Sequence, residues 1–372
     1  MSQSEPQVVR ETPTELPNVV AGFDGFVDTI LQAVSARHAR DEFTPVATAE
    51  EFGRMVSAAG VGRNANIELV VRRRKLGGNG PIFAYALSQL GVPVTYIGCL
   101  GKPQIHPIFE DFARRARLIS IAEPGYTDAV EFQDGKLMLG KVESVARANW
   151  RDVTKALSVK SLIRLVDSAK LVGVMNWTIL LNLTEMLSCF ETEVVIRLSN
   201  KSRTLFVDLA DPAKRSDTDL SALLQVLRSL NRSFQVTLGL NAREADRLRK
   251  LVQAMDFQLD PSNLAENLRA ALGLHCIVVH TRDWVTAANE DASEHFGVEA
   301  VSQPTIKTGA GDHFNAGFCF GRLIDASLHD SLLLGTEVAR HYVRTGESPT
   351  MNTLSPVGAS LINQSGGRHE RI

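Results

Sequence analysis

Thr308-Gly309-Ala310-Gly311-Asp312 stands directly before a run, His313 to Ile324, whose apolar residues recur at helical spacing and whose Ala316, Gly317 and Gly321 form a small-residue face. Glycines at a helix start leave backbone N–H groups open at the positive end of the helix dipole. There they can hold a developing anion, and the missing β-carbon lets a ligand approach the chain. Asp312, in the first turn, is placed to take a proton beside that anion. The same residues also fit a tight turn with Asp312 as an N-terminal cap, and an isolated Gly-x-Gly does not decide between the two. Asn241 and Glu244, three apart at the head of another helical stretch, have the spacing of a capping box.

The elements that must position these residues alternate along the chain. Short β-branched runs begin at Val19, Thr95, Leu171, Leu205, Val236 and Cys276. Helical patterns lie between them, over Ile82 to Leu90, Pro107 to Arg117, Ile179 to Phe190, Leu220 to Leu230, Ala242 to Met255 and Leu264 to Leu272. Parallel strands require crossover helices, so this βαβ alternation predicts an α/β fold: a doubly wound, mostly parallel sheet with helices on both faces. Two stretches break the rhythm, at about 29–75 and 123–147. The first ends in Ile67-Glu68-Leu69-Val70-Val71-Arg72-Arg73, and the second places Asp134-Gly135 between two alternating runs, a hairpin signal. Excursions of that length in a compact chain are usually functional, and together they predict a small β-rich lid over one end of the sheet. Residues 1–17 and 363–372 read as disordered tails around one domain over 18–362.

Composition narrows the partners. In 372 residues, 40 Lys and Arg against 42 Asp and Glu leave a formal net charge of −2, so no basic field exists to hold nucleic acid or an anionic membrane surface. No apolar run reaches bilayer length and the N-terminal stretch lacks a secretory layout, which predicts a cytoplasmic protein acting on a small molecule. Cys99, Cys189, Cys276 and Cys319 show no C-x-x-C spacing and read as buried thiols in a reducing compartment. The P-loop, the zinc-protease H-E-x-x-H, the G-x-S-x-G elbow and the dinucleotide-binding glycine pattern are all absent.

Gly309-Ala310-Gly311-Asp312 followed by Phe314-Asn315-Ala316-Gly317 resembles the second signature of the ribokinase-like sugar kinases, the PfkB family. Leu76-Gly77-Gly78-Asn79-Gly80, with Ala84, Leu87, Leu90-Gly91 and Ile97-Gly98, resembles that family's first signature. Asn241-Ala242-Arg243-Glu244 is similar to its N-x-x-E motif, the segment Asp208 to Arg215 to its Asp-containing, Arg-terminated stretch, and His280-Thr281-Arg282 to its nucleotide-side Thr turn. These five features occur in the family's order from Val19 to about Gly346.

The resemblance implies a ribokinase-like fold and an ATP- and Mg²⁺-dependent kinase of a sugar or sugar-like hydroxyl. It makes Asp312 the general base, with the N–H groups around Gly309, Ala310 and Gly311 stabilising the transferred phosphoryl group. Glu244, with Asn241, would organise hydrated Mg²⁺ while still able to cap its helix, and Thr281, Arg282 and Asn315 would serve the nucleotide. Gly77, Gly78 and Asn79 would approach the sugar hydroxyls together with an acid after the first strand. Asp24 and Asp28 both fit that place by spacing, and Asp28 is preferred. Asn176 is a further candidate, its alternative being a polar loop or cap residue. A homodimer through the lid is common among relatives of this kind.

Some residues depart from the family pattern. Ile306-Lys307 replaces the usual Asp-Thr, which speaks against the family's monovalent-cation site, and Lys307 is either a phosphate-side charge or a solvated loop residue. Asp283 stands where a glycine is usual, which places an acid close to the nucleotide phosphates unless it turns away. His313 reads as a surface residue of the first helical turn, or as a group tuning Asp312. Two rival expectations are a nucleoside kinase of the same fold and a catalytically silent sugar-binding homologue. The complete Gly309-to-Asp312 core opposes the latter.

Overall fold

The computed structural model describes residues 16–354 other than 59, 61, 63, 65, 200–202, 253–259 and 307, together with 358, 360 and 362. Most of the expected tails, and Lys307, lie outside the described residues. Among the described residues the strands are β1 (Asn18–Phe23), β2 (Phe26–Arg37), β3 (Phe43–Pro45), β4 (Leu69–Gly77), β5 (Val94–Gly98), β6 (Arg117–Ser120), β7 (Gly125–Glu131), β8 (Lys136–Lys141), β9 (Ala169–Val174), β10 (Thr204–Asp208), β11 (Gln235–Asn241), β12 (Cys276–His280), β13 (Trp284–Ala288) and β14 (Ser293–Gly297).

Nine of these form one sheet in the order β14-β13-β12-β11-β10-β9-β1-β5-β6. Pairing is parallel from β12 to β6 and antiparallel through β13 and β14. The central strands carry almost unbroken apolar runs because both of their faces are covered. One core contains Leu220, Leu227, Leu248 and Leu268 from the helices of one face. The other contains Phe83, Leu87, Phe314, Phe318 and Leu334 from the helices of the opposite face. Helices therefore clothe both sides, as the alternation predicts.

The lid is a second sheet in the order β3-β2-β7-β8, with β4 also paired to β2. Only Asp24 and Gly25 separate β1 from β2, so the chain passes straight from the large sheet into the lid. The Asp134-Gly135 hairpin forms as expected, joining antiparallel β7 and β8, with Phe132 N donating to Gly135 O at 2.9 Å. The first lid segment is not all strand: it contains the helix Ala49–Ser57, whose N-cap Thr48 accepts from Glu51 N at 3.1 Å.

Several boundaries differ from expectation. Pro107 to Arg117 does not make one helix. It holds a 3₁₀ turn, Pro107–Phe109, and a single helical turn, Glu110–Ala113, and Arg117 opens the edge strand β6. The helix expected from Ile179 begins at Leu183. The four cysteines are free, with Cys189 only partly buried.

Candidate active site

The carboxyl ends of the parallel strands meet the lid, and the acids singled out by sequence gather there. This is where open α/β sheets bind ligands. Asp24 follows β1 and is fully buried. Its Oδ2 accepts from Asn79 N at 3.0 Å and Asn176 Nδ2 at 2.8 Å, and its Oδ1 accepts from Gly80 N at 2.9 Å and the Tyr96 hydroxyl at 3.2 Å. Asp24 thus fastens the start of the helix Asn79–Gln89 to the sheet, and its oxygens are occupied by the protein. Burial raises it to about 6 despite those donors. Asn176, at φ 63, spends its amide on Asp24, while its buried Oδ1 has no partner.

Asp28 is not on a loop. It lies on β2, opposite Lys75 of β4 and Thr127 of β7. Burial raises its carboxyl above the ordinary range, while Lys75 and a hydrogen bond with Thr127 hold it down. A β-carbon on Gly77 would fall 2.3 Å from Asp28 Oδ1, so glycine is what lets β4 pass this acid. Asn79 joins the acceptor side to the base, since its Nδ2 donates to Asp312 Oδ1 at 2.8 Å.

Asp312 sits in the first turn of the helix Ala310–Leu323 and is buried. Burial and then the neighbouring Asp208 push its carboxyl well above the usual range, which makes it a stronger proton acceptor when ionised. The left-handed backbone this turn requires falls at Gly309, φ 95, rather than at Gly311. At Gly311 the constraint is space, because a β-carbon would lie 3.0 Å from His280 Cε1.

The capping box of Asn241 and Glu244 forms. Asn241 Oδ1 accepts from Arg243 N at 2.9 Å and Glu244 N at 3.1 Å, and Glu244 Oε2 accepts from Asn241 N at 2.8 Å. That does not exhaust Glu244: burial, then the charge of Asp208, raises it to about 8. Asp208 is itself raised by burial, against donors from Ala210 N and Asn315 Nδ2, both at 2.8 Å. Asp208, Glu244 and Asp312 therefore feel one another, and no hydrogen bond or ion pair from a lysine or arginine reaches any of them among the described residues. Such a set fits a hard dication. Among the described residues no three His, Cys, Asp or Glu side chains form a group that could hold a metal ion directly.

Beside the Gly309-to-Gly311 turn opens a cavity of about 710 Å³, walled by Asn241, Arg243, His280, Arg282, Phe314 and Arg340 among others. It is large enough for a nucleotide. Thr281 contributes to the wall, but its hydroxyl closes the 281–284 turn, accepting from Asp283 N at 3.1 Å and Trp284 N at 2.9 Å. Asn315 is fully buried and holds Asp208 instead of lining the cavity. Asp283 is exposed and outside the wall. His280, its ring tilted by 40° against Phe314 with centroids 4.9 Å apart, is lowered to about 4 by burial and stays neutral.

His313 is not a surface residue. It is 1% exposed, with its ring stacked on Tyr342 at 3.6 Å, because the helix Leu328–Thr345 covers this side of the turn. Burial lowers it to about 4. Gly309 O, 2.7 Å from Nδ1, can only accept, so the neutral ring carries its proton on Nδ1, and Nε2 accepts from the Ser348 hydroxyl at 2.8 Å. Tyr342 donates to Thr308 O at 3.1 Å. These two side chains brace the carbonyls of the glycine turn. Nothing in the local spacing announces Tyr342, which lies on a separate helix.

A family model described as prokaryotic ketohexokinase matches residues 3–359. A ketohexokinase from Haloferax volcanii is 30% identical over 348 residues, covering 93% of this chain and 92% of that protein. A solved carbohydrate kinase from Agrobacterium tumefaciens superposes with a TM-score of 0.63 at 16% identity, over 94% of this chain and 97% of its own. A ribokinase from Thermotoga maritima gives 0.58 at 15% identity, over 94% and 99% respectively.

Proposed function

The chain belongs to the prokaryotic ketohexokinase family, which makes it a phosphotransferase acting on a sugar hydroxyl, and from that premise we propose that its acceptor is a ketohexose and its donor ATP with Mg²⁺. The observation that carries the reading is Asp312: a buried carboxylate tied to Asn79 on the acceptor side, in the same helical turn as Ala310 and Gly311, which line a nucleotide-sized cavity.

In this reading the acceptor docks against Asp28 on the lid and the adjoining backbone at Gly77 and Gly78, and ATP lies along the cavity wall by His280, Thr281 and Arg282. The acceptor hydroxyl points at Asp312. Its oxygen bonds to the γ-phosphorus, the bond to the β–γ bridging oxygen breaks with its electron pair leaving on ADP, and the hydroxyl proton passes to Asp312. The amides of Gly309, Ala310 and Gly311 receive charge on the transferred group. Mg²⁺, when bound, neutralises phosphate charge, and Glu244 with Asp208 would hold its water shell. Asn79 keeps the base aligned, and Asp24 keeps Asn79 in place. No monovalent cation is assigned a part.

The exposed lid residues Leu69, Val71, Leu137 and Leu139 support a homodimer through the lid. Free cysteines support a reducing cytoplasm, and among the described residues no helix is long and apolar enough to cross a membrane. The test is a screen of sugars and nucleosides for ADP release with MgATP. We expect turnover with D-fructose or another ketohexose. Turnover confined to nucleosides would overturn the acceptor assignment.

A further inference from the structure

His313 and Tyr342 have no role in the reading above, yet they stand directly behind the turn that would receive the phosphoryl group. Ala310 and Gly311 line the cavity, and these two rings do not. His313 Nδ1 lies 2.7 Å from Gly309 O, and the Tyr342 hydroxyl donates to Thr308 O at 3.1 Å. The carbonyl and N–H of one trans peptide unit share a plane and point opposite ways. Thr308 C=O belongs to the unit that carries the Gly309 N–H, and Gly309 C=O to the unit that carries the Ala310 N–H. Holding the two carbonyls from behind therefore sets where two of the three amides aim.

The imidazole does more than satisfy a buried acceptor. Gly309 O already accepts the first helical bond, from His313 N at 3.1 Å, so the ring adds a second donor to a carbonyl that the fold had satisfied. Each added donor polarises its peptide unit and strengthens the N–H at the other end. The end of the helix Leu328–Thr345 supplies a second, independent observation, because it also grips the chain leading into the turn. Val343 O accepts from Thr305 N at 2.9 Å and from Ile306 N at 3.3 Å, and Arg344 O accepts from Thr305 Oγ1 at 2.6 Å. The two rings are fixed in their turn: they stack 11° from parallel, and His313 Nε2 accepts from the Ser348 hydroxyl. A β-carbon on Gly309 would lie 3.2 Å from Tyr342 Oη, so the brace sits close against the turn.

We propose that His313 and Tyr342 are positioning residues that fix and polarise the Thr308–Gly309 and Gly309–Ala310 peptide units, so that their amides meet the transferring phosphoryl oxygens already aimed. The inference rests on the kinase reading above. Neither side chain touches a substrate or moves a proton: the acceptor proton goes to Asp312 and the broken bond's electron pair leaves on ADP. Amides that need no reorientation as charge develops favour the transition state over the ground state. Loss of the brace should therefore slow transfer without weakening sugar or nucleotide binding.

The test uses the full-length protein with MgATP and D-fructose, or the sugar that turns over in the screen above, comparing wild type, His313→Phe, His313→Asn and Tyr342→Phe. Turnover is read as ADP release, and sugar and MgADP affinities by calorimetry. The grip of the turn on the transferring group is read as inhibition by MgADP with aluminium fluoride, whose planar anion stands in for that group. His313→Phe keeps the stack and loses the donor. It should lower kcat by about 10- to 100-fold and weaken aluminium fluoride inhibition by a similar factor, with both Kd values within about threefold. His313→Asn, whose amide nitrogen stands near the place of Nδ1, should recover at least about threefold of the loss, and Tyr342→Phe should lower kcat by about three- to tenfold in the same pattern. A His313→Phe kcat within about threefold of wild type overturns the proposal. So does a lowered kcat with aluminium fluoride inhibition unchanged, which would place the effect on Asp312. If His313→Phe loses its thermal midpoint, Tyr342→Phe, which deletes one hydroxyl, carries the test, and an unchanged kcat there overturns it. A wild-type protein that releases no ADP with any acceptor brings down the kinase reading itself, whereas an active wild type with an equally active His313→Phe removes the brace alone.

Discussion

Replacing Asp312 by Asn isolates the proposed proton transfer from everything else the residue does. The amide keeps an oxygen where Asp312 Oδ1 accepts from Asn79 Nδ2 at 2.8 Å, so the tie between base and acceptor segment survives and the turn retains its shape. What is lost is the ability to take the hydroxyl proton. A positioned general base contributes about 10²- to 10⁴-fold, which at about 1.4 kcal/mol per tenfold is roughly 3 to 5 kcal/mol of transition-state stabilisation. Stability should not follow. The carboxylate is raised by burial and by Asp208, and Asp24 and Glu244 add to the repulsion, so its removal relieves strain among the acids. The assay is a coupled ADP measurement with saturating MgATP and ketohexose, alongside thermal unfolding and calorimetric sugar binding. The expected outcome is kcat down by at least about a hundredfold, with Tm equal to or above wild type and sugar affinity within about threefold. A kcat within threefold of wild type would refute the argument, as would a loss of rate that tracks a collapse of Tm.

Glu244→Gln should shift the Mg²⁺ titration of rate more than sugar affinity. The metal-free protein should also change its pH response: the folded value of about 8 lies above the ordinary 4.5, so ionisation weakens the wild-type fold as pH rises through that window, and the Gln variant should show a flatter Tm against pH. Superimposable Tm–pH curves and Mg²⁺ titrations would leave Glu244 only its cap. Asp28→Ala removes a buried acceptor and should raise the sugar Kd by the equivalent of about 1.5 to 3 kcal/mol with ATP binding unchanged, whereas an unaltered Kd would take Asp28 out of the site. Gly311→Val drives a β-carbon against His280 at 3.0 Å and crowds the amides beside it, so ADP release should vanish while calorimetry still detects sugar. Retained turnover would show that the turn does not receive the phosphoryl group.

What was legible in the sequence follows from how each element is buried. β9 to β12 announce themselves because parallel strands covered on both faces are apolar throughout, whereas β6, reading Arg-Leu-Ile-Ser, and β14, reading Ser-Glu-His-Phe-Gly, are half-exposed edges without such a run. The glycine-rich turn and its acid were legible as well, since a helix start with Gly-Ala-Gly-Asp has a local signature. The positive φ at Gly309 instead of Gly311 was not, because either glycine suits it. Asp24-Gly25 looks like a turn, and only the lid pairing reveals that Asp28 belongs to a strand. His313 reads as exposed until the helix Leu328–Thr345 is laid over it. Long-range burial of polar groups has no periodicity to betray it.

The most direct test of the central claim is a ³¹P NMR spectrum of the reaction mixture containing the protein, MgATP and D-fructose. The account predicts that the γ-phosphate signal declines in step with the appearance of ADP and one sugar phosphomonoester, and that neither appears without the sugar or with Asp312→Asn on the same timescale. Sugar-independent release of inorganic phosphate, or a phosphomonoester formed only from nucleosides, would contradict it.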